Sequence, residues 1–238
     1  MDVIILGMQT SIPHPLFDVL DKIRSLENKA GRPEGSVKLI AVSKTYPVSV
    51  VQQVVNLGQT ALGENKVQEM MSKAEEIPKA QWHLIGHLQT NKVKYIAPFV
   101  AMIHSVDSEK LLAVIQKEAQ KNNRILPILL QIFISGESTK TGMTPDEAKE
   151  ILMKAHEYPN ILFKGLMGMA ANTDNLNLIR TQFSNLRKLK EELQNSTYTN
   201  VDFTELSMGM SSDYAIAIEE GATMVRIGSA IFGARQYA

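Results

Sequence analysis

The chain has 238 residues, and its 25 Lys and Arg balance 25 Asp and Glu, so it carries no formal net charge. A chain of this length buries one substantial core, and the charge balance argues against wholesale binding to nucleic acid or an anionic membrane, both of which need a basic excess. It contains no cysteine, which excludes disulfides, thiolate metal sites and a cysteine nucleophile and fits a reducing compartment.

The opening MDVIILGM places Asp2 where a signal peptide needs a positive charge. The longest mostly apolar run, Ile125 to Ile134, is interrupted by Pro127 and Gln131 and is too short to span a bilayer. A cytoplasmic protein without a membrane span is expected. Pro13 and Pro15 set off residues 1–15 as a loosely ordered extension, and no linker divides the rest, so one domain over 1–238 is expected.

From Leu16 to Asn28 the residues Leu16, Val19, Leu20, Ile23 and Leu26 share one helical face. Eight short apolar runs then read as strands: Lys38 to Lys44, Ala61 to Asn65, Trp82 to His87, Ala101 to Asp107, Ile125 to Ser135, Leu162 to Ala170, Asp202 to Met210 and Thr223 to Gly233. Between them lie helical stretches over 48–57, 66–76, 109–122, 145–156, 176–193 and 213–220. Gly58 and Gly221 stand at expected helix ends, and Thr144-Pro145 is a helix-start pair. Eight alternating units predict an α/β fold, a single (β/α)8 TIM barrel. A doubly wound open sheet is the alternative, but the first turn, VSKTYP, has no glycine-rich phosphate motif.

A barrel demands functional groups at the C-terminal ends of its strands, with a phosphate site after strands seven and eight. Lys44 closes the first strand on the face of Ile40 and Val42, where partial desolvation frees its amine to attack carbonyls. A lysine that has simply reached solvent is equally compatible with its position. In ELSMGMSSDYAIAI, Ser207, Gly209 and Ser211 surround a turn into a helix and read as an anion cradle. A helix cap by Ser211 or Ser212, with Asp213 in the first turn, is the plainer reading. Gly228 and Ser229 repeat the pattern at the eighth strand end.

Arg226 shares a face with Gly228 and needs a buried acceptor, either a barrel carboxylate such as Glu205 or a bound ring nitrogen. Asn65 and His87 fall at strand tops, where a hydrogen bond to a neighbouring loop is the bland alternative to ligand positioning. His83 and His87 stand about 13 Å apart if both lie on one strand, too far for one metal ion, so no metal site is expected. Met167, Met169, Met208 and Met210 are expected to pack the barrel core or mouth.

The segments AVSKTYP, LGENKVQE, WHLIGHLQTNK, HSVDS, ISGESTKTG, GLMGMA and LSMGMSSDYAIAIEEGATMVRIGSAIFGAR occur in this order from Lys38 to Arg235. Together they resemble the pyridoxal phosphate homeostasis protein family. The resemblance implies a barrel of fold type III, like the N-terminal barrel of alanine racemase. It implies pyridoxal 5′-phosphate (PLP) held as a Schiff base on Lys44, with its phosphate on the turns at Ser207 to Ser211 and Gly228-Ser229. It also implies Arg226 facing the pyridine nitrogen and Asn65 near the ring. Where many relatives carry Asn in QVNISGE, this chain has Phe133 in QIFISGE, which removes a polar group from strand five.

The implied function is a PLP-binding protein of vitamin B6 homeostasis that buffers or delivers its cofactor without robust turnover. Apo-enzymes that use PLP are the expected acceptors. The alternative, an amino-acid racemase, needs a second acid/base group on the opposite face of its substrate. Alanine racemases draw that group, a tyrosine, from an additional β domain, which is not expected in a chain ending at Ala238. A cofactor-free Schiff-base aldolase would leave Arg226 without a ring nitrogen to face. No apolar surface stripe specifies an assembly, so a monomer or weak dimer is expected.

Overall fold

The computed structural model describes residues 14–136, 141–194 and 200–233. Its eight strands are β1 (Lys38–Val42), β2 (Ala61–Glu64), β3 (Gln81–Leu84), β4 (Met102–Val106), β5 (Leu126–Ile132), β6 (Ile161–Gly168), β7 (Val201–Ser207) and β8 (Met224–Ile227). They run parallel in sequence order and close into a barrel, with β1 paired to both β2 and β8. The helices are α1 (Pro15–Lys29), α2 (Val48–Asn56), α3 (Val67–Glu76), α4 (Val93–Ile96), α5 (Glu109–Lys121), α6 (Pro145–Met153), α7 (Leu176–Gln194), α8 (Tyr214–Glu219) and α9 (Ser229–Phe232).

Strand alternation sorts the apolar residues into two cores. Leu39, Ala41, Leu62, Leu84 and Ile103 face outward, where they pack with Leu16, Ile23, Val51, Met70 and Phe183 of the surrounding helices. Ile40, Ala61, Met102, Leu129, Met167 and Met224 face inward and fill the barrel axis. Strands covered on both faces become almost wholly apolar, which is why they stand out as runs in the sequence.

Local chemistry starts and stops the helices where expected. Thr144 caps α6 by accepting from the Glu147 amide at 3.2 Å, while the Glu147 carboxylate accepts from the Thr144 amide at 2.8 Å. Gly58 and Gly221, at φ 99° and 96°, turn the chain out of α2 and α8 in a conformation that favours glycine.

Several boundaries differ from the sequence reading. Strands β7 and β8 end at Ser207 and Ile227, earlier than the apolar runs suggest, because the chain turns at once into the loops that carry the small residues. Helices α4 and α9 were not anticipated. Each has four residues, too few to display a helical period. Of the proposed extension over 1–15, only His14 and Pro15 are described; Pro15 opens α1, and the His14 imidazole accepts from the Leu16 amide at 3.1 Å. Residues 137–140 of the ISGESTKTG segment and residues 234 and 235 of the final GAR lie outside the described residues.

Candidate functional site at the C-terminal end of the barrel

One cavity of about 140 Å³ opens beyond the ends of β1, β2 and β8 and the turn after β7. Its walls are Val42, Lys44, Asn65, Ile85, Met169, Met210, Ser211, Arg226, Gly228 and Ser229. Six of the eight site residues read from the sequence therefore meet in one place: Lys44, Asn65, Ser211, Arg226, Gly228 and Ser229. Larger grooves of about 370 Å³ beside Trp82 and Tyr95, and about 500 Å³ beside Gln52 and Glu76, lie on the helical exterior and hold none of these groups.

Lys44 sits two residues past the end of β1, partly buried on the cavity wall. Its alternation with Ile40, an axis residue, and Val42, another wall residue, carries the inward direction of the strand onward. Asn65 is held against Gly86: a Cβ there would lie 2.5 Å from the Asn65 carbonyl oxygen and 2.7 Å from its Cα. Gly86 is thus required for the chain after β3 to pass Asn65, although only the Asn drew attention in the sequence. Gly228 plays the same part beside β1, since a Cβ on it would meet the Val42 carbonyl oxygen at 2.9 Å.

Ser207 is fully buried and is not among the cavity-wall residues. Its hydroxyl accepts from Arg226 Nη1 at 2.6 Å and pairs with His104 Nδ1 at 2.9 Å. Gly209 is likewise behind the wall. Its φ is 93°, a Cβ would lie 2.5 Å from that of Ala217, and its carbonyl accepts from the Arg226 amide at 2.9 Å. Gly209 shapes the turn, whereas Met210 and Ser211 present it to the cavity. The turn is closed by Asp213, whose carboxylate accepts from the Met210 amide, and Asp213 rather than Ser211 or Ser212 is the N-cap residue of α8.

Arg226 does not pair with Glu205, whose carboxylate instead accepts from the Thr223 hydroxyl at 2.6 Å. Its guanidinium donates to Ser207 and, at 3.1 Å, to the Gly168 carbonyl. Burial pushes its pKa down to about 10, with the charge of Asp213 opposing that shift, so it stays a cation at neutral pH. Beneath it the chain of contacts continues from His104 Nε2 to His83 Nδ1 at 2.9 Å. Burial drives both imidazoles toward the neutral form, His83 to about 3 and His104 well below its usual range. Sequence inspection missed His104 because a single histidine in a strand has no local signature.

His83 and His87 do separate, His83 into the barrel and His87 into contact with Asp107 at 3.2 Å on the surface. Among the described residues no group of three His, Asp or Glu side chains is placed to hold a metal ion. Met167 and Met208 are buried in the cores, and Met169 and Met210 stand on the cavity wall. Phe133 lies beside Pro145 and Gln182 in a groove away from the cavity.

A lysine, a buried arginine and two small-residue turns at the C-terminal mouth of a closed parallel barrel define a barrel of the alanine racemase type. The sequence profile described as "alanine racemase, N-terminal domain" matches residues 18–236. A Pyridoxal phosphate homeostasis protein of Aquifex aeolicus is 44% identical over 224 residues, covering 93% of this chain and 97% of its own. The chain belongs to the pyridoxal phosphate homeostasis protein family.

Among solved structures, PipY of Synechococcus elongatus, with PLP bound, is 33% identical at a TM-score of 0.79, covering 90% of this chain and all of its own. An alanine racemase of Clostridium difficile is 14% identical at a TM-score of 0.72 and shares the fold. This chain covers only 56% of that racemase.

Proposed function

We infer that this chain binds pyridoxal 5′-phosphate at Lys44 and serves its intracellular homeostasis, holding and releasing the cofactor without robust turnover. The observation that carries this reading is the convergence of Lys44, Arg226 and both small-residue turns on one cavity. The donor set fits the cofactor. Among the described wall residues there is an amine, a guanidinium, an amide and two hydroxyls, and no carboxylate. Such a wall suits a phosphate near dianionic charge and an electron-rich ring nitrogen. The family name and the bound state of PipY support the same assignment.

Bound here, the cofactor supplies an aldehyde carbon, an electrophile for a lysine amine. Lys44 would supply that amine from the cavity wall. Ser211, Gly228 and Ser229 would hold the phosphate, and Asn65 would steady the ring. Arg226, charged at neutral pH and able only to donate, would leave the pyridine nitrogen unprotonated. An unprotonated ring withdraws electrons weakly, which opposes carbanion chemistry.

Among the described wall residues a racemase reading finds no partner for Lys44 in proton transfer other than Arg226, which stays a cation at neutral pH. Lys44 and Arg226 are the only titratable side chains among the described wall residues. The Tyr46 hydroxyl donates to the Gly233 carbonyl at 2.6 Å and its ring stacks on Phe232, while Tyr214 lies behind the turn. Incubation of loaded protein with L-alanine in deuterated water should give no multiple-turnover α-deuteration. Accumulating D-alanine would overturn the non-catalytic reading.

Borohydride treatment of protein mixed with PLP should leave one stable adduct, mapped to Lys44. Lys44→Ala should lose that adduct and the yellow colour yet keep its far-UV circular dichroism. Adduct on other lysines alone would sink the assignment. Transfer from loaded protein to an apo-enzyme, measured against free cofactor, tests delivery.

A further inference from the structure

Behind Lys44, on the outer face of the barrel, lies a buried ionic cluster with no contact to the cavity. Lys73 of α3 is 4% exposed, and its three ammonium donors have three acceptors: the Ser43 carbonyl at 2.6 Å, Glu64 Oε1 at 2.7 Å and Glu69 Oε1 at 2.7 Å. Glu69 Oε1 also accepts from the Thr45 amide. Glu64, fully buried at the end of β2, accepts from the Ser43 hydroxyl at 2.7 Å.

The cluster therefore grips both neighbours of Lys44, at the carbonyl of Ser43 and the amide of Thr45. Thr45 itself has φ 70°, a left-handed conformation that a β-branched residue adopts only when its surroundings impose it. Among the described residues the only other non-glycine with positive φ is Asn123, a residue type that accepts this region readily. The charge-assisted bond from the Thr45 amide to Glu69, with Glu69 held in turn by Lys73, is the restraint on Thr45 that the structure displays.

We propose that Glu69 and Lys73 are positioning residues for Lys44: their ion pair fixes the peptide groups on either side of it and holds Thr45 left-handed, so that the amine stays in the cavity. This rests on the assignment of Lys44 as the residue that captures PLP. Without the restraint Thr45 relaxes toward ordinary backbone angles, which rotates the chain that carries Lys44. The phosphate turns after β7 and β8 belong to other elements and are left as they were.

Two ligands separate these parts of the site. PLP can be captured covalently, whereas pyridoxine 5′-phosphate lacks the aldehyde and reports only the non-covalent contacts. Glu69→Ala should lower borohydride-trapped adduct at Lys44 about tenfold at limiting PLP, the scale of one released strained residue. Its affinity for pyridoxine 5′-phosphate should stay within about twofold of the parent. Adding Thr45→Asn, a residue that adopts the left-handed region with little strain, should restore capture.

Capture by Glu69→Ala equal to the parent overturns the proposal. So does parallel loss of both ligands, which would mark a merely structural role, or failure of Thr45→Asn to rescue. Should Glu69→Ala not fold, Glu69→Gln keeps an acceptor for Thr45 but drops the charge holding Lys73. It should lose capture a few-fold, and undiminished capture would overturn the ion-pair role. A parent protein that traps no PLP at Lys44 refutes the PLP assignment instead, a result distinct from all of these.

Discussion

At the scale of single residues, the hydrogen-bond chain Arg226–Ser207–His104–His83 sets the character of the barrel interior. Ser207 accepts from Arg226, so its one proton is free for His104 Nδ1. His104 then donates from Nε2 to His83 Nδ1, and along this chain of four side chains the proton on His83 Nε2 is left without an acceptor. The opposite tautomers would strand the Ser207 proton as well, which favours the first arrangement.

Two neutral imidazoles make acid a threat to the fold. In the unfolded chain they take up protons near 6.5, whereas burial holds folded His83 neutral down to about 3 and keeps His104 well below its usual range. The unfolded state therefore binds more protons over that window, and stability falls as pH falls from 6.5. Burial shifts the Glu64 carboxyl upward, with the opposite sign: keeping it ionised costs stability as pH rises past its usual 4.5. In urea titrations at pH 6, 5 and 4, His83→Gln should flatten the acid slope by about 1.4 kcal/mol per pH unit. An unchanged slope would mean that folded His83 is already protonated. Ser207→Ala would leave a buried guanidinium donor unpaired and should destabilise by about 1–3 kcal/mol, with a matching drop in urea midpoint at constant m-value.

At the scale of elements, short turns do what long helices cannot. The chain passes from β7 to α8 through residues 208–213, turning at Gly209, and the turn after β8 brings Gly228 against Val42. Gly209→Ala would combine φ 93° with a 2.5 Å contact to Ala217. A loss of about 2–4 kcal/mol is expected, together with weakened binding of pyridoxine 5′-phosphate, measured by calorimetry. Stability within 0.5 kcal/mol of the parent, roughly the range of a neutral surface change, would show that the turn is not strained. Gly209, Gly228 and the serines around them were legible because glycine and serine beside an apolar run signal a turn whatever the fold. The four-residue helices α4 and α9 were illegible for the converse reason.

For the molecule as a whole, binding at the barrel mouth should stabilise every strand whose end reaches it. PLP at one hundred times its dissociation constant should raise unfolding free energy by about 2.7 kcal/mol, seen as a rise in thermal midpoint with cofactor concentration. Lys44→Ala should keep the parent midpoint without cofactor and show a smaller rise with it. An unchanged parent midpoint in saturating PLP would count against binding to the folded barrel.

The eight strands, the longer helices between them and the small residues closing the seventh and eighth strands were determined by the sequence alone. Each follows from spacing within about ten residues, where alternation and turn chemistry act. Only the tertiary structure decided that the Ser207 hydroxyl meets Arg226, that His104 lies against a serine 103 positions away, and that Lys73 reaches back 30 positions to Ser43. Those contacts depend on how the barrel closes and how far its strands are staggered, quantities that no local window of residues contains.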